Sequence, residues 1–159
     1  MADLHPSISA LTPLLGTWSG RGSGDYPTIT PFDYLEEITF AHVGKPFLSY
    51  TQRTRSPGGQ PMHAEAGYLR MPNPGRIELV LAQPSGVTEI DEGTIADDGG
   101  AVVIELASVS VGLTSTAKDV AAVQRSIRVE NDELTYSVSM AAMGQPLQQH
   151  LTAVLHRAP

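Results

Sequence analysis

The 159-residue chain contains no cysteine. That excludes a disulfide framework, a thiolate nucleophile, Cys-ligated zinc and a Cys-held iron–sulfur cluster. Basic residues are scarce: 10 Lys and Arg stand against 17 Asp and Glu, giving a formal charge of −7. A protein that neutralises phosphates needs a basic surface, so nucleic acid is not an expected partner. Long apolar runs are missing as well. None approaches the ~20 residues of a membrane helix, and no basic-then-apolar signal segment is present at the start. The expectation is a soluble, cytoplasmic chain with no membrane partner, in which any metal is held by His, carboxylate or a prosthetic group.

Helical signal is confined to residues 5–15. Ile8, Leu11 and Leu15 recur at helical spacing there, Ser7 is the expected N-cap, and Pro13 ends the helix or forces a tight second turn. Turn signals such as Gly44-Lys45-Pro46, Pro72-Asn73-Pro74-Gly75, Asp97-Asp98-Gly99-Gly100 and Gly144-Gln145-Pro146 separate most of the apolar-polar segments at 18–26, 32–43, 47–55, 62–71, 76–82, 87–96, 101–108, 120–130, 133–143 and 147–157. Gly supplies positive φ and Pro removes a donor, so these are physical breaks between strands. Period two supports the strand reading. Leu134, Tyr136, Val138 and Met140 share one face opposite Thr135, Ser137 and Ser139, and Ile77, Leu79 and Leu81 alternate with Glu78, Val80 and Ala82. About ten short strands and one short N-terminal helix predict an all-β chain, an antiparallel barrel or sandwich, with residues 1–159 forming one domain. Eight strands already leave room for a small ligand, so a closed barrel of this size encloses a cavity that something fills.

Few residues are candidates for chemistry. Gly16-Thr17-Trp18-Ser19-Gly20-Arg21-Gly22 is no phosphate loop, because no helix N-terminus follows it. Trp18, the single tryptophan, is expected to plug one barrel end, with the glycines allowing close approach. The five histidines, His5, His42, His63, His150 and His156, show no zinc spacing. One histidine alone suffices for haem iron, since the porphyrin supplies the other nitrogens. On alternation, Leu147, Leu151, Ala153 and Leu155 form one face of the last strand and His150, Thr152 and Val154 the other. His150 then faces away from the leucines; a partly polar cavity or a bulge would turn it inward, and spacing leaves this open. No Gly-x-Ser-x-Gly elbow supports a Ser-His-Asp hydrolase. Glu36-Glu37 and the group Glu89, Asp91 and Glu92 are expected as surface charge.

Several motifs nonetheless resemble those of the nitrobindins. The glycine-tryptophan segment matches the family's Gly-x-Trp-x-Gly-x-Gly signature through Gly16, Trp18, Gly20 and Gly22, and Tyr26-Pro27-Thr28, Pro31-Phe32 and Tyr34-Leu35-Glu36-Glu37 match the family's next segment. Met62-His63-Ala64-Glu65-Ala66-Gly67-Tyr68-Leu69-Arg70 resembles the fourth-strand motif, while Ser139-Met140-Ala141 and Gln145-Pro146-Leu147-Gln148-Gln149-His150-Leu151 resemble the haem-ligand segment. The likeness is greatest to the actinobacterial members. It implies a ten-stranded antiparallel β-barrel, lipocalin- or fatty-acid-binding-protein-like, holding one haem b per chain in a ferric resting state with His150 as axial ligand. Thr28, His63, Gln83 and Met140 map to the haem pocket. Lys118 and Arg125 are assigned as propionate partners on charge alone. The implied activity is isomerisation of peroxynitrite to nitrate, with reversible nitric oxide binding; one imidazole leaves the opposite iron position open. A homodimer is implied too. The alternative reading is a non-catalytic nitric oxide or haem sensor or carrier, or a carrier of apolar ligands in the same barrel.

Overall fold

Residues 2–159 are described by a computed structural model. Ten strands follow one 3₁₀ segment (Pro6–Leu14): β1 (Gly16–Tyr26), β2 (Ile29–Ala41), β3 (Phe47–Arg55), β4 (Pro61–Arg70), β5 (Arg76–Ala82), β6 (Val87–Asp98), β7 (Ala101–Leu113), β8 (Val120–Glu130), β9 (Glu133–Ala142) and β10 (Gln148–Arg157). Each strand pairs antiparallel with the next, and β1 pairs with β10, so the sheet closes into a barrel. Short turns with positive φ at Gly44, Gly75, Gly86 and Gly144 make these connections, where a side chain would be strained. Strand β7 runs on from the expected 108 to Leu113 because Ser110–Leu113 keep pairing with β6, and β2 starts at Ile29 and stops at Ala41 against the expected 32–43.

The N-terminal segment is not an α-helix. Its buried residues are Ile8, Leu11 and Leu14, a spacing of three that suits 3₁₀ geometry, and the expected Leu15 is only half-buried. His5 rather than Ser7 caps it, its Nδ1 accepting from the Ser7 N–H at 3.2 Å. This segment lies over one barrel end. Beneath it Trp18 is fully buried, its Nε1–H donating to the Leu14 carbonyl at 2.8 Å. The Arg157 guanidinium stacks 4.2 Å from the Trp18 ring centroid and donates to the Leu15 and Pro13 carbonyls. Leu48, Leu69, Ile77, Ile104, Leu134 and Leu155 complete an apolar core at this end.

Trp18→Ala is expected to destabilise by about 3–5 kcal/mol, since the ring fills the plug and nothing nearby can collapse into its place. Urea unfolding followed by far-UV circular dichroism reads this; a loss below about 1 kcal/mol would show that the plug is dispensable.

Candidate functional site

The far half of the barrel is hollow. A cavity of about 700 Å³ opens where β1 ends and β10 begins, within the size range of cofactor sites. Its wall carries the inward faces predicted by period two: Leu134, Tyr136, Val138 and Met140 of β9 all line it. Tyr26, Thr28, Met143, Lys118 and His150 stand around the mouth.

His150 reaches the cavity through a bulge. In the β9–β10 ladder Gln149 pairs with Ser139 and Leu151 with Val138, so His150 is the extra residue between two consecutive partners. A bulge puts both of its residues on one side of the strand, and His150 and Leu151 therefore line the cavity together. Its Nδ1 lies 3.1 Å from the Asp25 carbonyl, which can only accept; Nδ1 thus carries the hydrogen, and Nε2 keeps its lone pair. Burial pushes the imidazole pKa down, against a smaller opposing effect of the Asp25 carbonyl, and His63 adds to the depression. The Tyr26 ring stands edge-on to His150 at 5.3 Å. The Tyr26 hydroxyl accepts from the Ala142 N–H at 2.9 Å and donates to the Met140 carbonyl at 3.0 Å, tying β1 to the end of β9 beside the histidine.

Deeper in, the wall is charged. Arg125 donates to Glu65 from Nη1 and Nη2 at 3.1 and 3.0 Å and to Glu89 from Nε and Nη2 at 3.1 and 2.7 Å, with Asp91 3.5 Å from Nε. Gln83 donates to Glu89 at 2.7 Å, Tyr50 to Glu65 at 2.9 Å, and His63 stands 3.3 Å from Glu65. A second group joins Tyr34, Tyr136, Glu36 and Gln52 through hydroxyl, carboxyl and amide contacts. Burial opposes ionisation of Glu65, but Arg125 and His63 outweigh it and hold the carboxyl down at about 2. Glu36 has weaker compensation, and burial pushes it up to about 7. Burial together with neighbouring Glu89 pushes Asp91 up to about 8.

These shifts set opposite slopes. Folded Glu36 and Asp91 hold protons that the unfolded chain releases at 4.5 and 3.8, so stability falls as pH rises from those values through about 7 and about 8. Glu65 contributes stability above its unfolded 4.5 that is lost as pH falls toward about 2. The melting temperature is therefore expected to peak in mildly acidic buffer and to decline toward pH 8; a melting temperature that rises from pH 5 to 8 would contradict these assignments.

Among the expected site residues, Thr28, His63, Gln83, Lys118, Arg125, Met140 and His150 all line one cavity. One expectation needs correction. Glu36, Glu89 and Asp91 are not surface charge: all three are buried, and only Glu37 and Glu92 of those groups reach outward. Arg125, assigned to a propionate on charge alone, makes four hydrogen bonds to Glu65 and Glu89. Lys118 is exposed at the mouth. Glu65, Gln52, Tyr34 and Tyr136 were not singled out as site residues. Their signal was parity: Glu65 shares a strand face with Leu69, Glu36 with Ile38 and Phe40, and Glu89 with Val87. The signature glycines Gly20 and Gly22 lie on the inward face of β1, where a Cβ would strike the Val154 carbonyl and the Tyr34 ring.

The family model described as THAP4-like, heme-binding beta-barrel domain matches residues 7–157. The chain belongs to this family. Among its relatives, a protein of Mycolicibacterium paratuberculosis named peroxynitrite isomerase 1 is 64% identical over 156 residues, covering 98% of this chain and 97% of that one. A Mycobacterium marinum protein named peroxynitrite isomerase 2 is 59% identical over 157 residues, covering 98% of each. The crystal structure of Rv2717c from M. tuberculosis superposes with a TM-score of 0.96 at 58% identity, covering 99% of this chain and 100% of that one. Among the described residues, no helix is long and apolar enough to cross a membrane.

Proposed function

We propose that this protein isomerises peroxynitrite to nitrate on one ferric haem b, which His150 would hold in the barrel. The observation that carries the reading is the bulge, which turns a neutral imidazole with an open Nε2 into a cavity of about 700 Å³. The donor set fits haem. Among the described residues no group of three or more His, Asp or Glu could hold a bare metal ion, whereas a porphyrin needs one protein ligand. Ile29, Phe32, Met62, Val123 and Met140 supply apolar wall for a macrocycle, and Lys118 at the mouth supplies a cation for propionate.

When bound, the haem supplies the redox-active iron on which the anion rearranges, and that chemistry belongs to the cofactor. This chain's residues do the rest. The Asp25 carbonyl fixes the His150 tautomer, and Tyr26 braces the ring from the side. His63, Thr28 and Met140 line the pocket. Isomerisation needs no net proton or electron, and no residue is required to deliver either. Held by His150 alone, the haem would also bind nitric oxide reversibly.

Stopped-flow decay of peroxynitrite with the haem-loaded protein, together with nitrate yield, tests the reading. Faster decay with nitrate as the main product is expected. Unaltered decay by a haem-loaded protein that still binds nitric oxide would make it a carrier or sensor.

A further inference from the structure

Tyr34 on β2 and Tyr136 on β9 are separated by two strands, yet their hydroxyl oxygens are 2.6 Å apart. The register explains how. Tyr34 pairs with Gly22, Gly22 with Ala153, and Ala153 with Tyr136, so one row across four strands reads Tyr, Gly, Ala, Tyr. Strand spacing of ~4.8 Å sets the two Cα atoms about 14 Å apart, a gap that two phenol side chains span over small neighbours. Any Cβ at Gly22 would run into the Tyr34 ring. The Tyr136 hydroxyl donates to Glu36 Oε1 at 2.7 Å, and Gln52 Nε2 donates to Glu36 Oε2 at 2.6 Å. Since Tyr136 has one hydroxyl hydrogen and gives it to Glu36, Tyr34 donates within the tyrosine pair. The chain of donors runs Tyr34 to Tyr136 to Glu36, along the cavity wall. The isomerisation proposed above uses none of it.

We propose that Tyr34, Tyr136 and Glu36 form a proton-coupled relay that quenches nitrogen dioxide radical inside the cavity and records it as ring nitration. This rests on the proposed reaction only for the source of oxidant: when the O–O bond of peroxynitrite breaks evenly and its fragments escape, one of them is this neutral radical. The electron leaves the Tyr136 phenol for nitrogen dioxide, which becomes nitrite. With Glu36 ionised, as it is above about pH 7, the phenolic proton passes along the existing 2.7 Å hydrogen bond to its carboxylate, leaving a neutral phenoxyl radical. A second nitrogen dioxide forms a C–N bond at the ring carbon ortho to the oxygen, and the hydrogen on that carbon moves to the oxygen, giving 3-nitrotyrosine. Tyr34 acts in the same way through Tyr136.

The proton acceptor makes the pair selective. Tyr50 also donates to a carboxylate, Glu65 at 2.9 Å, but Arg125 holds that carboxylate in its ionised form as a poor base. Glu36 carries no such partner within hydrogen-bond reach among its contacts, Tyr136 and Gln52. Tyr68, 51% exposed, is the accessible comparison. Burial pushes the Tyr34 and Tyr136 pKa values far up, so a reagent that needs phenolate, such as tetranitromethane, is expected to label Tyr68 instead.

The test delivers nitrogen dioxide, made by radiolysis of nitrite, to the full chain both without haem and after haem loading, and maps nitration by peptide mass spectrometry. Label at Tyr136 or Tyr34 exceeding that at Tyr68, with Tyr50 unmodified, is the expected result. In Glu36→Gln the inner label falls to background while Tyr68 is unaffected. Tyr136→Phe, which separates Tyr34 from Glu36, abolishes label at Tyr34 as well. Label chiefly at Tyr68 in the native chain, an unchanged inner label in Glu36→Gln, or an unchanged Tyr34 label in Tyr136→Phe overturns the relay. A chain that binds no haem yet labels Tyr136 sinks the cofactor reading and leaves the relay standing. One that isomerises peroxynitrite but labels only Tyr68 does the reverse.

Discussion

His150→Ala is expected to lose the haem Soret band at stoichiometric haem and to let peroxynitrite decay at the rate measured without protein. The substitution removes the only imidazole whose Nε2 the β10 bulge turns into the cavity. His63, the other histidine lining it, is held beside Glu65 at 3.3 Å and cannot replace it without breaking that contact. Stability should change little, because the ring is half-buried and gives up one hydrogen bond to the Asp25 carbonyl, worth about 1 kcal/mol. Loss of haem with a retained melting temperature therefore separates a ligand from a structural residue. Added imidazole, filling the space left by the side chain, should restore part of the band. A full-strength, unshifted Soret band in His150→Ala would show that another group holds the iron.

Arg125→Met is expected to cost as much stability as Trp18→Ala. Its side chain is only 10% exposed and lies between Glu65 and Glu89, with Asp91 alongside. Methionine of similar length removes the one guanidinium and leaves buried carboxylates facing each other, a loss of about 3–5 kcal/mol at neutral pH. The pH dependence identifies the cause. Glu65 stays at about 2 in the native protein because Arg125 outweighs much of its burial cost. Without Arg125 its carboxyl rises, the folded state takes up protons in acid, and the variant should recover stability as pH falls from 7 to 5. Urea denaturation at those two values reads this directly. Adding Glu65→Gln to Arg125→Met should restore part of the loss at pH 7, since fewer buried charges then lack a partner. A loss equal at both pH values would assign the effect to packing instead.

Much of the architecture was legible in local chemistry. The Gly and Pro turns, period-two faces such as Leu134, Tyr136, Val138 and Met140, and Trp18 beside a short N-terminal segment are all properties of neighbouring residues. The N-terminal segment went astray by one residue, because Leu14 rather than Leu15 is buried once the turn tightens to three residues. The carboxylates went astray for a different reason. Alternation does place Glu36, Glu89 and Asp91 on inward faces, but a solvated face is the ordinary home of charge. What reverses that expectation is distant in sequence: Arg125 reaches Glu89 and stands 3.5 Å from Asp91, while Tyr136 and Gln52 bond Glu36, and only the barrel brings them together.

The absence of cysteine, the acidic balance, the ten strand segments and the family motifs were settled by the order of residues alone, since each depends on composition or near neighbours. Closure of the ring and the direction of His150 depended on the fold. Strict alternation turns His150 outward with Thr152 and Val154, and its inward aim comes from one extra residue opposite Ser139 and Val138. Where a bulge falls is determined by pairing with another strand, which no pattern within β10 encodes. The Tyr34–Tyr136 contact has the same origin: Gly22 and Ala153 are merely small in the sequence, and become a passage between two rings only when four strands stand in register.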